Sequence, residues 1–277
     1  MLPAIVVLAL LVAYPIVYTG ILSVTDNQGA YVGLKNFSAM AGARVTRTAV
    51  WNTGYYVLGS IVLQVTLGTL VGILLNQKFR GRGLVRSLAL IPWVVPGIVA
   101  ATTWAWMFHT EFGIINYMLT ATHLTDAPVG WLTDRNTVMP AMIAINAWKL
   151  FPFVAIMVLA GLQTVPQELY ESARVDGASF WDEVRHVMLP SIRPVLVAIT
   201  LLLLIWGMNA ITIIYTITRG GPANRTLITP IQIFRQAFEL FQFNQAAALS
   251  VMFFAVTIVF VAIYIIVFGT SKAERAT

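Results

Sequence analysis

The 277-residue chain contains no cysteine. That excludes a disulfide framework, a thiolate metal site and a cysteine nucleophile. Charge is nearly as scarce, at 10% Asp, Glu, Lys and Arg, where soluble domains carry about 25%. So little charge cannot cover a water-soluble fold of this size. Disorder is excluded by the same composition, which is 58% apolar. The three histidines, His109, His123 and His186, have no metal-ligand spacing, so no metal site is expected. No Gly-x-x-x-x-Gly-Lys-[Ser/Thr] phosphate loop occurs, and the chain therefore offers no such ATP site of its own. The net charge of +6 would fit nucleic acid in a soluble protein. With so few charges it fits better a membrane protein that keeps its positive loops on one side, and no nucleic-acid partner is expected.

Long apolar runs are what the sequence has instead. A bilayer core about 30 Å thick needs roughly 20 apolar residues in helix, and six stretches meet that length. They are residues 2–24, 54–75, 88–108, 138–162, 195–217 and 246–268. Among 17 Lys and Arg and 11 Asp and Glu, only Lys149 falls inside them. The alternating ten-residue segments of a membrane β-barrel are missing. The expected fold is therefore all-α, with six transmembrane helices.

Orientation follows from the short connection 76–87, which carries Lys78, Arg80, Arg82 and Arg86 and no acid. Short basic loops remain cytosolic. That places both termini and the segment 163–194 inside, and residues 25–53, 109–137 and 218–245 outside. Across the whole chain the bias is slight, nine Lys and Arg inside against seven outside, so the short loop decides. The first run has no basic residue before it and Tyr14-Pro15 where a signal peptide would have small residues. It reads as a retained helix whose natural start lies upstream of Met1.

Segment 163–194 is too polar to enter lipid. It holds Glu168, Glu171, Asp176, Asp182 and Glu183, interleaved with Arg174, Arg185, His186 and Arg193. Pro166 can open a helix, Leu169 and Ala173 share a face, and Gly177 interrupts. Ser179-Phe180-Trp181-Asp182 resembles a capping box opening a second short helix, expected to end before Pro190. On pattern alone this is either a solvated connector or a helix–turn–helix lying across the cytosolic face.

The run Glu171-Ser172-Ala173-Arg174-Val175-Asp176-Gly177-Ala178-Ser179, closing at Leu189-Pro190, closely resembles the "EAA" signature of permease subunits in binding-protein-dependent ABC importers. Ser172 stands where the signature has its first Ala. Further segments resemble the sugar-type branch of those permeases. They are Arg82-Gly83-Leu84-Val85-Arg86, Ile91-Pro92-Trp93-Val94-Val95-Pro96, Trp104-Ala105-Trp106-Met107-Phe108, Trp148-Lys149-Leu150-Phe151-Pro152-Phe153 and Gly220-Gly221-Pro222. The resemblance implies one permease domain over residues 1–277, of the type I ABC importer fold, with residues 163–194 as its cytosolic coupling loop.

It also implies partners. A second permease chain, two copies of a cytosolic ATPase holding ATP and Mg, and an extracytoplasmic binding protein would complete a carbohydrate importer in a bacterial or archaeal cytoplasmic membrane. Glu171, Ser172, Ala173, Asp176, Gly177 and Ala178 are then the ATPase-coupling residues. The two carboxylates would meet basic groups of the ATPase, and the alanines would allow close approach. The chain itself would carry no catalytic residue and no cofactor.

Candidates for the substrate pathway rest on depth and residue type. A charge at membrane depth costs about 2.5–3.5 kcal/mol or more, so Lys149 is a functional candidate. Its alternative is to lock helix packing by pairing with a helix-end carbonyl or a partner subunit. Asn209, aligned through Gly220-Gly221-Pro222, matches by resemblance a sugar-contacting position. Asn146 lies three residues before Lys149, and Trp206 three before Asn209, where an indole could stack on a sugar ring. Tyr215 and Ser250 are weaker candidates, and each of these residues could instead pack against the second permease. Pro92, Pro96 and Pro152 are expected to kink helices. Arg219, Arg225 and Arg235 either face an acidic binding protein or are solvated. The carried solute could be a sugar, a related polyol or a glycerol phosphodiester. A stand-alone secondary transporter would show buried acids for ion coupling, and an intramembrane enzyme would show catalytic groups at depth; neither pattern is present.

Overall fold

A computed structural model describes residues 2–269, with side chains from Val7 onward. Met1 and residues 270–277, with the cytosolic tails expected there, lie outside the described residues. Among the described residues the only extended pairing is an isolated bridge between Thr25 and Tyr31. Everything else is helix and connection, in agreement with the all-α expectation.

Helix α1 (Leu2–Ser23) is followed by the short α2 (Lys35–Gly42) and by α3 (Arg44–Asn76). The latter, at 33 residues, starts ten positions before the apolar run at 54, because residues 44–53 extend the same helix beyond the apolar belt. Then come α4 (Arg82–Val94), α5 (Gly97–Met107), α6 (Ile114–Ala121) and α7 (Val138–Leu162). The polar segment forms α8 (Gln167–Val175) and the single turn α9 (Phe180–Asp182). A π-helical stretch, Glu183–Met188, leads straight into α10 (Leu189–Met208), and α11 (Thr212–Thr218) follows. The chain closes with α12 (Thr229–Phe234), which runs into the π-helical Arg235–Glu239, and with α13 (Phe243–Tyr264).

Among the described residues four helical units are long and apolar enough to cross a bilayer: Arg44–Asn76, Val138–Leu162, Phe180–Thr218 and Phe243–Gly269. The run 88–108, expected as one span, is instead broken. α4 and α5 meet at an angle of 94°. Pro96 has no N–H to continue α4 and pushes the residue before it out of helical conformation, and Val95 accordingly has φ −58 and ψ 128. Counting the bent pair as one span gives five. Pro92 and Pro152 do not break their helices, so of the three candidate prolines only Pro96 marks a corner.

The short helix expected to end before Pro190 does not end there. Pro190 follows directly on the π-helical turn, and the wider register of that turn accommodates a residue without an N–H, so the helix runs on through it.

Packing centres on α3 against α7, and glycines set the distance. A Cβ on Gly68 would lie 2.4 Å from Val154 Cβ and 2.9 Å from the Phe151 carbonyl oxygen; one on Gly72 would lie 2.7 Å from Val158 Cγ1. In lipid, where apolar surface gives no driving force between helices, such small-residue contact is what holds two helices together. Polar pins fix the ends. Asn52 Nδ2 donates to the carbonyls of Asn224 (2.8 Å) and Leu227 (3.0 Å). Asn244 Nδ2 donates to the Thr25 carbonyl at 2.8 Å. At the other end of α3, Arg86 donates to the Leu75 carbonyl at 2.9 Å, a cation on a helix C-terminus.

Candidate functional site

The polar segment folds as a helix–turn–helix. α8 opens after Pro166, and Gly177 ends it in the left-handed region at φ +80, a conformation that only glycine adopts without cost. Ser179 then caps α9. Its Oγ accepts from the Asp182 N–H (3.3 Å), while Asp182 Oδ2 accepts from the Ser179 N–H (3.0 Å) and hydroxyl (2.5 Å). The expected capping box is present. Those hydrogen bonds hold the Asp182 carboxyl below the usual carboxylate range.

One ion pair fixes the angle of α8. Arg174 Nε donates to Glu183 Oε1 at 2.7 Å, with a second contact to Oε2 at 3.5 Å. The Glu183 hydrogen bond, then its charge, raises the Arg174 guanidinium above its ordinary value. Tyr170 anchors the same helix from below. Its ring is buried, its hydroxyl has no hydrogen-bond partner among the described residues, and burial followed by the Glu183 charge pushes its pKa up.

The outward surface is left free. Glu171, Ser172, Asp176 and Gly177 are exposed, and Ala173 and Ala178 half-buried. Neither Glu171 nor Asp176 makes an ion pair or side-chain hydrogen bond among the described residues. Beside them Val175 is 87% and Trp181 69% exposed. A rigid, left-handed corner thus presents two unpaired carboxylates and apolar side chains, a mixture suited to docking a protein.

A second constellation lies near the middle of α7. Lys149 Nζ donates to the carbonyls of Val95 (2.6 Å) and Trp93 (3.4 Å), the groups orphaned where α4 breaks. Beside it is a cavity of about 500 Å³ whose lining includes Tyr56, Pro96, Asn146, Lys149, Asn209 and Thr212. Asn209 is not deep inside a continuous helix as expected. It caps α10 at the break before α11, with Nδ2 donating to the Ile205 carbonyl at 2.8 Å. The Asn146 carbonyl accepts from buried Gln64 at 3.3 Å. Trp206, partly exposed, packs on Phe153 (ring centroids 5.0 Å), which packs on Trp93 at 5.7 Å.

Three candidates, Asn146, Lys149 and Asn209, thus converge on one cavity. The other three do not line it. Tyr215 donates to Glu239 Oε1 at 3.2 Å, and Ser250 donates to the Ala246 carbonyl of its own helix at 2.8 Å. Tyr56, from α3, and Thr212, which the α10–α11 break places there, join the site without having been singled out, and Pro96, expected only as a kink, joins it at the α4–α5 corner. Among the described residues no group of His, Asp and Glu could hold a metal ion.

Comparisons with known proteins complete the description. Residues 64–272 match the family described as the binding-protein-dependent transport system inner membrane component. The trehalose/maltose transport system permease protein MalF of Thermococcus litoralis is 33% identical over 235 residues, 85% of this chain and 79% of that protein. A bacterial ABC transporter involved in the import of the acidic polysaccharide alginate contains a chain of the same fold. Its TM-score is 0.88 at 21% identity, covering 98% of this chain and 94% of that one. A second solved structure, the bacterial alginate ABC transporter in complex with alginate pentasaccharide-bound periplasmic protein, gives a TM-score of 0.85 at 22% identity, covering 95% and 90%.

Proposed function

The chain belongs to the binding-protein-dependent transport system inner membrane components, and from that premise we propose that it forms, with a second permease chain, the membrane pathway of a carbohydrate importer. Residues 1–277 act as one permease domain with six crossings, α1 and the bent α4–α5 pair included. It lies in a bacterial or archaeal cytoplasmic membrane, both termini in the cytosol. The single observation that carries the mechanism is the free face of the 163–194 loop, with Glu171 on α8 and Asp176 at its C-terminal end, just before the Gly177 corner, both unpaired among the described residues.

Two copies of a cytosolic ATPase, which would hold ATP and Mg, dock on this loop and on its counterpart in the second chain. Their closure pushes α8. The Arg174–Glu183 pair and the unbroken helix from Phe180 carry that push into α10, because a rigid element transmits displacement where a loose connector would absorb it. α10 ends at Asn209, beside the cavity, so movement at the cytosolic face reaches the substrate path through one helix.

Asn146, Lys149, Trp206 and Asn209 are the pathway residues in this reading, with Tyr215 and Ser250 as packing positions toward the second permease. Asn146 and Asn209 supply the polar contacts that a sugar hydroxyl needs, and Trp206 an apolar face. Lys149 already holds two backbone carbonyls, which favours the sugar or polyol reading over a phosphate bound by this lysine. The relative named for trehalose and maltose, and the solved neighbour in complex with a pentasaccharide-bound periplasmic protein, support a carbohydrate delivered by a binding protein.

Affinity purification of the tagged chain from native membranes in mild detergent tests the assembly. A second permease, a phosphate-loop ATPase and an exported binding protein are expected in the eluate by mass spectrometry. Repeated recovery of the folded chain alone would favour a stand-alone transporter instead.

A further inference from the structure

Three segments distant in sequence meet at the end of α3 opposite the coupling loop. Asn76, at one end of α3, lines a pocket together with Tyr170 and Glu183 of that loop. Arg44 stands at the other end, 33 residues along the helix and roughly 48 Å away. There Arg44 and Arg47, Arg135 from the segment before α7, and Arg225 from the connection between α11 and α12 line one cleft of about 840 Å³.

All four arginines are exposed. None makes a side-chain hydrogen bond or ion pair among the described residues, where ion pairs join only Arg174 to Glu183 and Arg235 to Glu239. No Asp or Glu lines the cleft. Asp134, next to Arg135 in sequence, turns its carboxylate to the Asn136 N–H at 2.7 Å. The first turn of α3 carries no acid either. Four like charges are therefore held together without a counter-charge, an arrangement that repels itself until an anion arrives.

The floor of the cleft is fixed. Asn52 ties α3 to the Asn224 and Leu227 carbonyls, and Thr53 Oγ1 accepts from the Thr229 N–H at 2.8 Å. On its rim Trp51 is 78% exposed.

We propose that this cleft is a docking surface for an acidic face of the extracytoplasmic binding protein. The inference rests on the importer reading above and adds to it the surface, the sign of the charge and the anchoring residues. A protein partner fits better than a small anion. Solvent screens exposed guanidiniums, so a lone anion gains little from them, whereas a protein face brings several carboxylates at once and covers Trp51. Arginine and tryptophan are the side chains that most often anchor such interfaces. Clustered rim charge acts chiefly on the rate of encounter, and its effect falls with salt.

The test uses the intact complex in lipid nanodiscs and the binding protein that copurifies with it, with association followed at low and high NaCl. Wild-type affinity should fall at least about tenfold across the salt range. The double variant Arg47→Glu/Arg225→Glu should lose about tenfold or more at low salt, mainly through the association rate. The milder Arg47→Gln/Arg225→Gln should lose less, and the thermal stability of both complexes should match wild type. Double variants that bind within twofold of wild type and keep its salt dependence would overturn the proposal while leaving the importer reading intact. Saturable binding of inorganic sulfate to the complex, lost in the double variants while partner affinity is unchanged, would reassign the cleft to a small anion and likewise overturn it. Absence of any binding protein from the wild-type complex would overturn this proposal and the importer reading together.

Discussion

Lys149 Nζ lies 2.6 Å from the carbonyl oxygen of Val95, the residue at which the third apolar run turns through a right angle. The single charged side chain inside the six apolar runs thus serves a broken helix. Val95 and Trp93 have lost their helical donors at Pro96, and in hydrocarbon an unpaired carbonyl costs several kcal/mol. The ammonium satisfies both while its own charge stays beside a cavity that Asn146 and Asn209 also line.

Lys149→Met keeps the length of the side chain and removes the donors. Hydrogen bonds to charged groups are worth about 1.5–3 kcal/mol, and a loss of that order is expected in thermal unfolding of the purified chain in detergent. Wild-type stability in this variant would mean that Pro96 alone holds the corner.

Glycine contacts between α3 and α7 give a paired prediction. Gly68→Ala places a methyl 2.4 Å from Val154 Cβ and against backbone, and overpacking of this kind costs about 1–3 kcal/mol. Gly54→Ala, on the same helix with nothing within 4 Å, is expected to be stabilising by about 0.5–1 kcal/mol. Melting of the two variants side by side checks the sign of each.

Gly177 has φ +80 and no atom within 4 Å of where a Cβ would stand, so substitution there acts through the backbone alone. Gly177→Ala should cost about 1–2 kcal/mol locally. Gly177→Pro should leave the protein in the membrane but abolish solute-stimulated ATP hydrolysis by the assembled complex, as should Glu171→Lys. Full coupling in both would remove the coupling role from this loop.

The Ser179–Asp182 box has a defined pH window. Hydrogen bonds lower the folded-state pKa of Asp182 below its unfolded value. Its contribution is therefore complete above the ordinary carboxylate range, about 3.9, and is lost as pH falls through the lowered folded value. Protection of the amides of residues 180–183 in hydrogen exchange should be flat from pH 6 to 8 once corrected for intrinsic rates, and Asp182→Asn should reduce it throughout. A protection step near neutral pH would contradict this assignment.

How much of this was legible in the sequence follows from the reach of each signal. Apolar runs and the capping box are local: the box reads correctly, and the runs read correctly as helical, while their continuity does not, since the run 88–108 is bent by 94° and α10 ends within the run 195–217. Gly177 as a corner was readable because the left-handed turn it makes lies within the run that it ends. The break at Val95–Pro96 was not, since proline alone does not separate a kink from a corner: Pro92 and Pro152 lie in the same kind of context and their helices continue. Lys149 was visible as an anomaly with two roles open, and only the position of α4 supplies its acceptors. The Arg174–Glu183 pair spans nine residues across a turn, outside helical spacing, and the four-arginine cleft joins positions 44 to 225. Such contacts depend on how the helices pack, which no local pattern encodes.

The 277-residue chain has no cysteine, which makes one measurement especially direct. Val175→Cys and Ala178→Cys, each the sole thiol, would be treated with a short thiol-to-amine crosslinker in native membranes, beside Thr125→Cys at the far end of the molecule. The coupling account requires both loop positions to join a phosphate-loop ATPase, with ATP changing the yield, and Thr125→Cys to give no such product. Equal labelling of all three positions, or none of the ATPase from either loop position in an intact complex, would contradict it.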